Sequence, residues 1–469
     1  MGRMEFTNWA ILAAGDYADL YWEETRTQGL RWEEGKLERL TNSQECGAGL
    51  RYQVGDETRY ASADDPDEEE IGQLSKVLLL PSPRRKPGPS GFANDAGSRL
   101  TTAGMTAEKK SYRPTILKPP ATIPPSDKIN LLNRCHAAAS LNHVRQISIS
   151  YGEIDKHIRI WTSEGRMTEE WRTGLTFSIS VVAEKDGLLQ TAYDAVSGTA
   201  GFEFFDKMDV IALSKRVAER AVLRLSAPAA PLGEMPIIIA AEAGGTLIHE
   251  ALGHPLEADA VQKGVSPMYI GTVGKVVGNE KVSVLEDPTM EGQRGFYAFD
   301  DEGVSAERVV LIDHGVHKTY LYDRQTAKKA GVASNGHGRR ESFRHRPIPR
   351  MANTFVAPGK DDPKMILRSV ENGLLVTKMG GGQVEPATGD FVFEVEEGFL
   401  IKDGKVGSLI RSANLLGNGP QVLKAIDLVG SDMGWSVGTC GKDGQGAPVS
   451  DGLPTLRIPQ GVVVGGISA

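Results

Sequence analysis

His249 and Glu250 are adjacent, and a second histidine follows five positions after the first, in His249-Glu250-Ala251-Leu252-Gly253-His254. Imidazole nitrogens are zinc ligands, and a carboxylate beside them can take the proton of a water that attacks a carbonyl. The spacing departs from His-Glu-x-x-His, in which both rings share one helical face. At about 100° per residue, an ideal helix would turn the second ring roughly 140° away from the first. Two local devices correct this. A π turn adds one residue within a turn. Alternatively the helix ends early, which Gly253 and Pro255 favour. The plainer alternative is a buried histidine pair that satisfies a helix end.

The motif follows an apolar run, residues 236–241, and the small-residue turn Ala243-Gly244-Gly245. Thr246 is placed to cap the helix. A chain of 469 residues exceeds one ordinary core, so two or three domains are expected. The Ala/Pro linker at 226–231 sets the boundary: an amino-terminal α/β domain with an antiparallel sheet over 1–225, and a β-rich carboxy-terminal domain over 232–469. The fold class is α+β. In the first domain the patterns predict a short helix at Trp9–Asp16, a hairpin near Gly49–Tyr60, and helices near 64–78, 126–140 and 209–225. Isoleucine and valine alternation predicts a meander over 146–193. The proline-rich stretch 81–125, with Arg84-Arg85-Lys86 inside it, reads as an extended or mobile connection.

Hydrophobic content of 40% and charged content of 24% are those of a soluble globular protein. The net charge of −8 provides no field for nucleic acid, so direct nucleic-acid binding is not expected. No apolar run reaches membrane-spanning length, and no membrane partner is expected. Cys46, Cys135 and Cys440 are too far apart for a disulfide framework, which points to the cytoplasm. Cys135 falls on the apolar face of its helix and reads as core. Arg339 and Arg340, in a glycine-rich stretch, are candidates to hold a substrate carboxylate or peptide carbonyl; solvated loop charges are the alternative. Gly381 and Gly382 permit close backbone approach to a ligand.

Six stretches occur in collinear order: His249–His254, Asp300-Asp301-Glu302-Gly303, Gly338-Arg339-Arg340-Glu341-Ser342, Pro349-Arg350-Met351-Ala352-Asn353-Thr354, Gly380-Gly381-Gly382-Gln383-Val384 and Thr439-Cys440-Gly441-Lys442-Asp443-Gly444-Gln445. Together they resemble the TldD/PmbA family of zinc metallopeptidases. Gly47-Ala48-Gly49-Leu50-Arg51 resembles its amino-terminal domain more loosely, and 81–125 reads as an insertion. The resemblance implies a peptidase for unfolded or leader peptides, with Zn2+ as cofactor. His249, His254 and Cys440 would be ligands and Glu250 the base, with Glu257 and Asp259 as rival third ligands. It also implies a homodimer, or a heterodimer with a related subunit lacking the zinc motif. The competing class is a non-catalytic peptide-binding or DNA gyrase-modulating subunit.

Overall fold

The computed structural model describes residues 6–80 and 108–466. Residues 81–107 of the proline-rich stretch, including Arg84-Arg85-Lys86, lie outside the described residues. The chain is α+β throughout, as the mix of period-two and helical patterns predicts.

In the amino-terminal half, strands β1 (Tyr17–Glu33), β2 (Lys36–Val54) and β3 (Glu57–Asp64) precede helix α1 (Glu68–Leu79). Then come β4 (Glu108–Tyr112), α2 (Pro125–Ala139), β5 (Val144–Thr162), β6 (Arg166–Lys185), β7 (Leu188–Gly198) and α3 (Val210–Arg224). Among the described residues these seven strands make one sheet in the order β3-β2-β1-β5-β6, with β4 and β7 sharing the far edge of β6. β4 is a correction to the sequence reading, since part of the proline-rich stretch is a strand parallel to β6 rather than a free connection. Alternation sets the buried face: Leu175, Phe177, Ile179, Val181 and Ala183 of β6 all point beneath α2 and α3. Cys135 belongs to that core. Two predicted helix starts differ. Residues 9–13 form a 3-10 turn, and α2 begins with Pro125 at its first turn, so Ser126 lies inside it.

In the other half, β8 (Ile237–Ile239) runs parallel to β13 (Asn372–Val384), which continues to β14 (Asp390–Lys402) and β15 (Ala413–Asn418) in a nine-stranded sheet. A six-stranded sheet joins β9 (Val284–Glu286), β10 (Val309–Asp313), β11 (Val316–His317), β12 (Asn353–Val356), β16 (Gly434–Lys442) and β17 (Gln445–Leu453). Its order is β11-β10-β9-β12-β17-β16, so β16 is an edge strand. The helical motif lies against both sheets, and its apolar residues Leu247, Ile248, Ala251 and Leu252 join one core with Ile237, Val376, Phe393 and Val449.

The halves meet through buried charge. Arg51 of β2 donates to Asp19 of β1 and to Glu302 (2.6 Å), with all three side chains nearly inaccessible. Arg172 of β6 pairs with Glu170 (2.9 Å) and Asp301 (3.0 Å). Gly47 has a steric reason: a Cβ there would stand 2.2 Å from the Phe343 ring, which packs with Tyr21, Ile158 and Ile160. Thus Asp301 and Glu302 of the acidic motif serve the junction between halves. Arg51→Met would leave Asp19 and Glu302 buried without their shared cation. A loss of about 3–5 kcal/mol in unfolding free energy is expected by chemical denaturation, and a loss below about 1 kcal/mol would contradict this account.

Candidate metal centre

The motif segment begins at Gly245 rather than at a side-chain cap. Thr246 lies inside the first turn, with no side-chain capping bond, because the backbone approaches β17 too closely for a larger residue. The Gly245 N–H donates to Asp451 O (3.0 Å), and a Cβ at Gly245 would lie 2.6 Å from Gly452 N. A short α turn, Thr246–Ile248, passes into a π turn over His249–Gly253, closed by the His254 N–H on His249 O. A 3-10 turn, His254–Leu256, then ends the segment with Pro255 inside it, and Glu257 is extended. Of the two devices that suit a five-residue spacing, the π turn is the one used: Gly253 and His254 both keep helical backbone angles, and the helix ends only after His254. The two imidazoles meet with ring centroids 5.0 Å apart and planes at 90°.

Cys440 comes from β16. The β16–β17 hairpin turns at Asp443-Gly444, both with positive φ, and pairs Cys440 with Ala447 and Ser436 with Asp451. Its Sγ lies 3.3 Å from His254 Nε2. One ligand atom from each of His249, His254 and Cys440 falls within 4.8 Å of the others. Two imidazole nitrogens and a sulfur are a donor set of the kind that holds zinc. Glu250 is half-buried on the same π turn.

Carboxylates hold each ring from behind. The Nδ1–H of His249 donates to Asp451 Oδ1 (2.7 Å), and that of His254 to Glu257 Oε2 (3.0 Å). Each ring then turns its Nε2 inward. Lys442 Nζ ties this layer together, 3.0 Å from Glu257 and 2.5 Å from Asp259. Glu257 and Asp259, rivals for the third ligand on sequence, are thus engaged by His254 and by lysines. Burial alone would raise the Glu257 pKa, but Lys442 and His254 bring it down to about 2. Burial would likewise push the Cys440 thiol up; hydrogen bonds and charge from the two histidines bring it to about 5 instead. At Cys46 and Cys135 burial prevails, raising the thiols to about 12 and about 11.

The other sequence candidates are placed differently. Arg340 is buried against the amino-terminal half, 4.2 Å from the Tyr21 ring centroid and donating to Asp301 O (2.8 Å). Arg339 is buried too, donating to the carbonyls of Met351 and Pro448. Gly381 sits in open space on an irregular stretch of β13, beside a cavity that Thr246 and Ser436 also line. Gly382 is packed under Phe393. Sequence reasoning missed Asp451, Lys442 and Arg350, whose guanidinium donates to Cys440 O and braces the hairpin. The Asp-Gly pair at 443–444 was the available signal, since it folds Asp451 back toward the strand of Cys440.

Gly253 lets the π turn seat against the core, because a Cβ there would stand 1.9 Å from Met351 Sδ. Gly253→Ala is expected to cost about 1–3 kcal/mol by overpacking, and a second change, Met351→Val, to recover part of it. Additive losses in a denaturation double-mutant cycle would count against this contact.

The PmbA/TldA metallopeptidase domain 1, central domain and C-terminal domain match residues 18–77, 118–225 and 232–466. The chain is 32% identical to a metalloprotease TldD homolog of Haemophilus influenzae, over 96% of this chain and 93% of that protein. It is also 32% identical to a metalloprotease of Methanothermobacter thermautotrophicus, over 96% of each. A zinc metalloprotease TldD homolog of Saccharolobus solfataricus is 29% identical, over 72% of this chain and 76% of its own length. Among solved structures, a putative modulator of a DNA gyrase from Thermotoga maritima superposes with a TM-score of 0.75 at 20% identity, over 95% and 96% of the chains. TldE from Thermococcus kodakarensis gives 0.72 at 19%, over 96% and 97%. The structural matches speak to the fold, and the sequence matches run through every described element around His249, His254 and Cys440: the chain belongs to the PmbA/TldD metallopeptidase family.

Proposed function

We propose that this chain is a zinc-dependent peptidase acting on extended, unfolded peptides, with His249, His254 and Cys440 as ligands and Glu250 as the general base. The observation that carries this reading is the convergence of three donor side chains from two distant segments, with both histidines backed by carboxylates. A non-catalytic peptide-holding or gyrase-modulating subunit would use these donors for a structural metal at most, and would give Glu250 no role. Bound zinc supplies Lewis acidity, bringing the pKa of water toward neutrality and polarising a carbonyl. The chain's own residues do the rest. Asp451 and Glu257 hold the imidazoles in one tautomer and orientation. Glu250 accepts the proton of the attacking water and delivers it to the leaving amine. Among the described residues β16 pairs on one side only, which leaves backbone groups to meet an extended chain and disfavours folded substrates. In this reading the catalytic unit is 232–469, and the 1–225 unit packs against it through Arg51, Arg172 and Arg340. No helix among the described residues is long and apolar enough to cross a membrane. The sparse cysteines support a cytoplasmic setting.

The test measures zinc content per chain and cleavage of an unstructured peptide, with and without chelator. Glu250→Gln is expected to keep its zinc and lose activity by about 10²-fold or more. Cys440→Ala is expected to lose both together, whereas Glu257→Gln should weaken zinc binding by about 10–100-fold without abolishing it. Full activity in zinc-loaded Glu250→Gln, or full zinc in Cys440→Ala, would refute the assignment.

We also propose that the active form is a dimer, with a second copy or with a related subunit lacking the zinc motif. The support is the family itself and the TldE structure among the fold neighbours. Light scattering at micromolar concentration is expected to give a dimer, alone or after adding the related subunit. A monomer that cleaves peptide at full rate would overturn it.

A further inference from the structure

Behind the strand of Cys440 lies a cavity of about 300 Å³ between the two halves of the chain. Gly174 and Ser197 wall it from β6 and β7, and Thr439 of β16 from the other side. Five cationic side chains reach its lining, and three are neutralised: Arg172 by Glu170 and Asp301, Lys156 by Glu23, Arg340 by Asp19. Arg294 and Arg339 differ. Among the described residues neither has a carboxylate within ion-pair distance. Arg294 donates to Gly438 O (2.9 Å) and to the hydroxyls of Thr176 (2.6 Å), Ser197 (2.6 Å) and Thr439 (3.1 Å). Arg339 donates only to the two backbone carbonyls already described.

The carboxylates of the lining are already committed. Asp301 accepts from Arg172 and from the Arg340 N–H (2.8 Å), and Glu341 accepts from the Gly446 N–H. Burial accordingly draws the Arg294 and Arg339 guanidinium pKa values downward. Arg339 is buried with only the Tyr297 ring and the more distant Asp301 to offset its charge, and Arg294 is partly buried, so an incoming carboxylate would gain charge-assisted hydrogen bonds from both. Guanidinium geometry favours such an anion.

The cavity's position relates it to the metal centre. Successive strand residues face opposite sides, so Thr439 points to this cavity while Cys440 points to the histidines. An extended substrate alternates in the same way. A peptide paired along β16 with its scissile bond at the histidines would send alternate side chains to the face that carries Thr439.

We propose that this cavity is an anionic subsite, where Arg294 and Arg339 take a carboxylate of the peptide substrate; this rests on the peptidase reading above. That carboxylate is an acidic side chain near the scissile bond or the peptide's own carboxy terminus.

The test uses the zinc-loaded full chain and short unstructured peptides carrying Glu, Gln or Lys at each position near the cleaved bond, with free or amidated carboxy termini. One position is expected to favour Glu over Gln by about tenfold in kcat/KM, and Lys is expected to be disfavoured there. If amidation rather than Glu-to-Gln exchange removes the advantage, the terminal carboxylate is the occupant. Arg294→Met should abolish the preference. Because that change also removes structural hydrogen bonds, Ile154 at the exposed rim supplies a milder pair. Ile154→Glu should weaken the acidic preference and Ile154→Lys strengthen it, with cleavage of the neutral peptide unchanged. Equal rates for charged and neutral peptides, insensitive to both Ile154 variants, would overturn the subsite and leave the peptidase intact. Absence of cleavage for every peptide would instead overturn the peptidase reading. In that case, peptide binding to Glu250→Gln decides the subsite, and equal affinity for Glu and Gln peptides rejects it.

Discussion

A five-residue interval between two histidines cannot serve one face of a regular α-helix, and the centre of this protein is arranged around that mismatch. The π turn over His249–Gly253 absorbs the extra residue and brings the two rings edge to face. π turns are less favourable than α turns and persist where tertiary contacts hold them. Here the contacts are specific. Gly245 is bonded to Asp451 O on one side of the turn, Gly253 is seated against Met351 on the other, and the 3-10 turn through Pro255 prevents the helix from continuing. Gly419 lies close against Ala251 from the opposite direction.

The two histidines are oriented by different kinds of structure. His254 takes its carboxylate from Glu257, three residues on, so its support is local. His249 takes its carboxylate from Asp451, 202 residues on, so its support exists only when β17 is docked. Lys442 sits one hairpin position from the turn and neutralises Glu257 and Asp259 together. Arg350, fully buried, fixes the Cys440 end of the same hairpin through backbone carbonyls. The site is therefore a helix with a hairpin clamped over it, and most of its charge is paired before any ligand enters.

Much of this was legible in the sequence. The five-residue spacing demanded an irregular helix, and the π turn it allowed is the irregularity found, whereas the early end that Gly253 and Pro255 favoured falls only after His254. Alternation in β5–β7 and the helical face of Val210, Leu213, Val217 and Ala221 fixed the amino-terminal layer. The rest depended on distance along the chain. Nothing local marks Asp451 as the partner of His249, and an arginine in a glycine-rich stretch looks solvent-facing until the neighbouring half buries it, as happened with Arg339 and Arg340. The acidic run at 300–302 carries no pattern that separates a metal cluster from a domain junction; only the positions of Arg51 and Arg172 across the interface do. β4 was hidden because a proline-rich stretch conceals a short polar strand that needs β6 as its template.

The separation of the donors along the chain has a bearing on biosynthesis. Cys440 emerges from the ribosome 186 residues after His254. At translation rates of about 5–20 residues per second, roughly 10–40 s pass with the histidine segment made and its third donor not yet synthesised. Throughout that interval β16 and β17 are missing, so His249 has no Asp451 and the six-stranded sheet lacks its last two strands. A nascent or prematurely terminated chain therefore lacks one of the three clustered donors and, on the proposed reading, has no complete metal site with which to act on its neighbours. On that reading, late placement of the final hairpin delays assembly of the site by chain order alone.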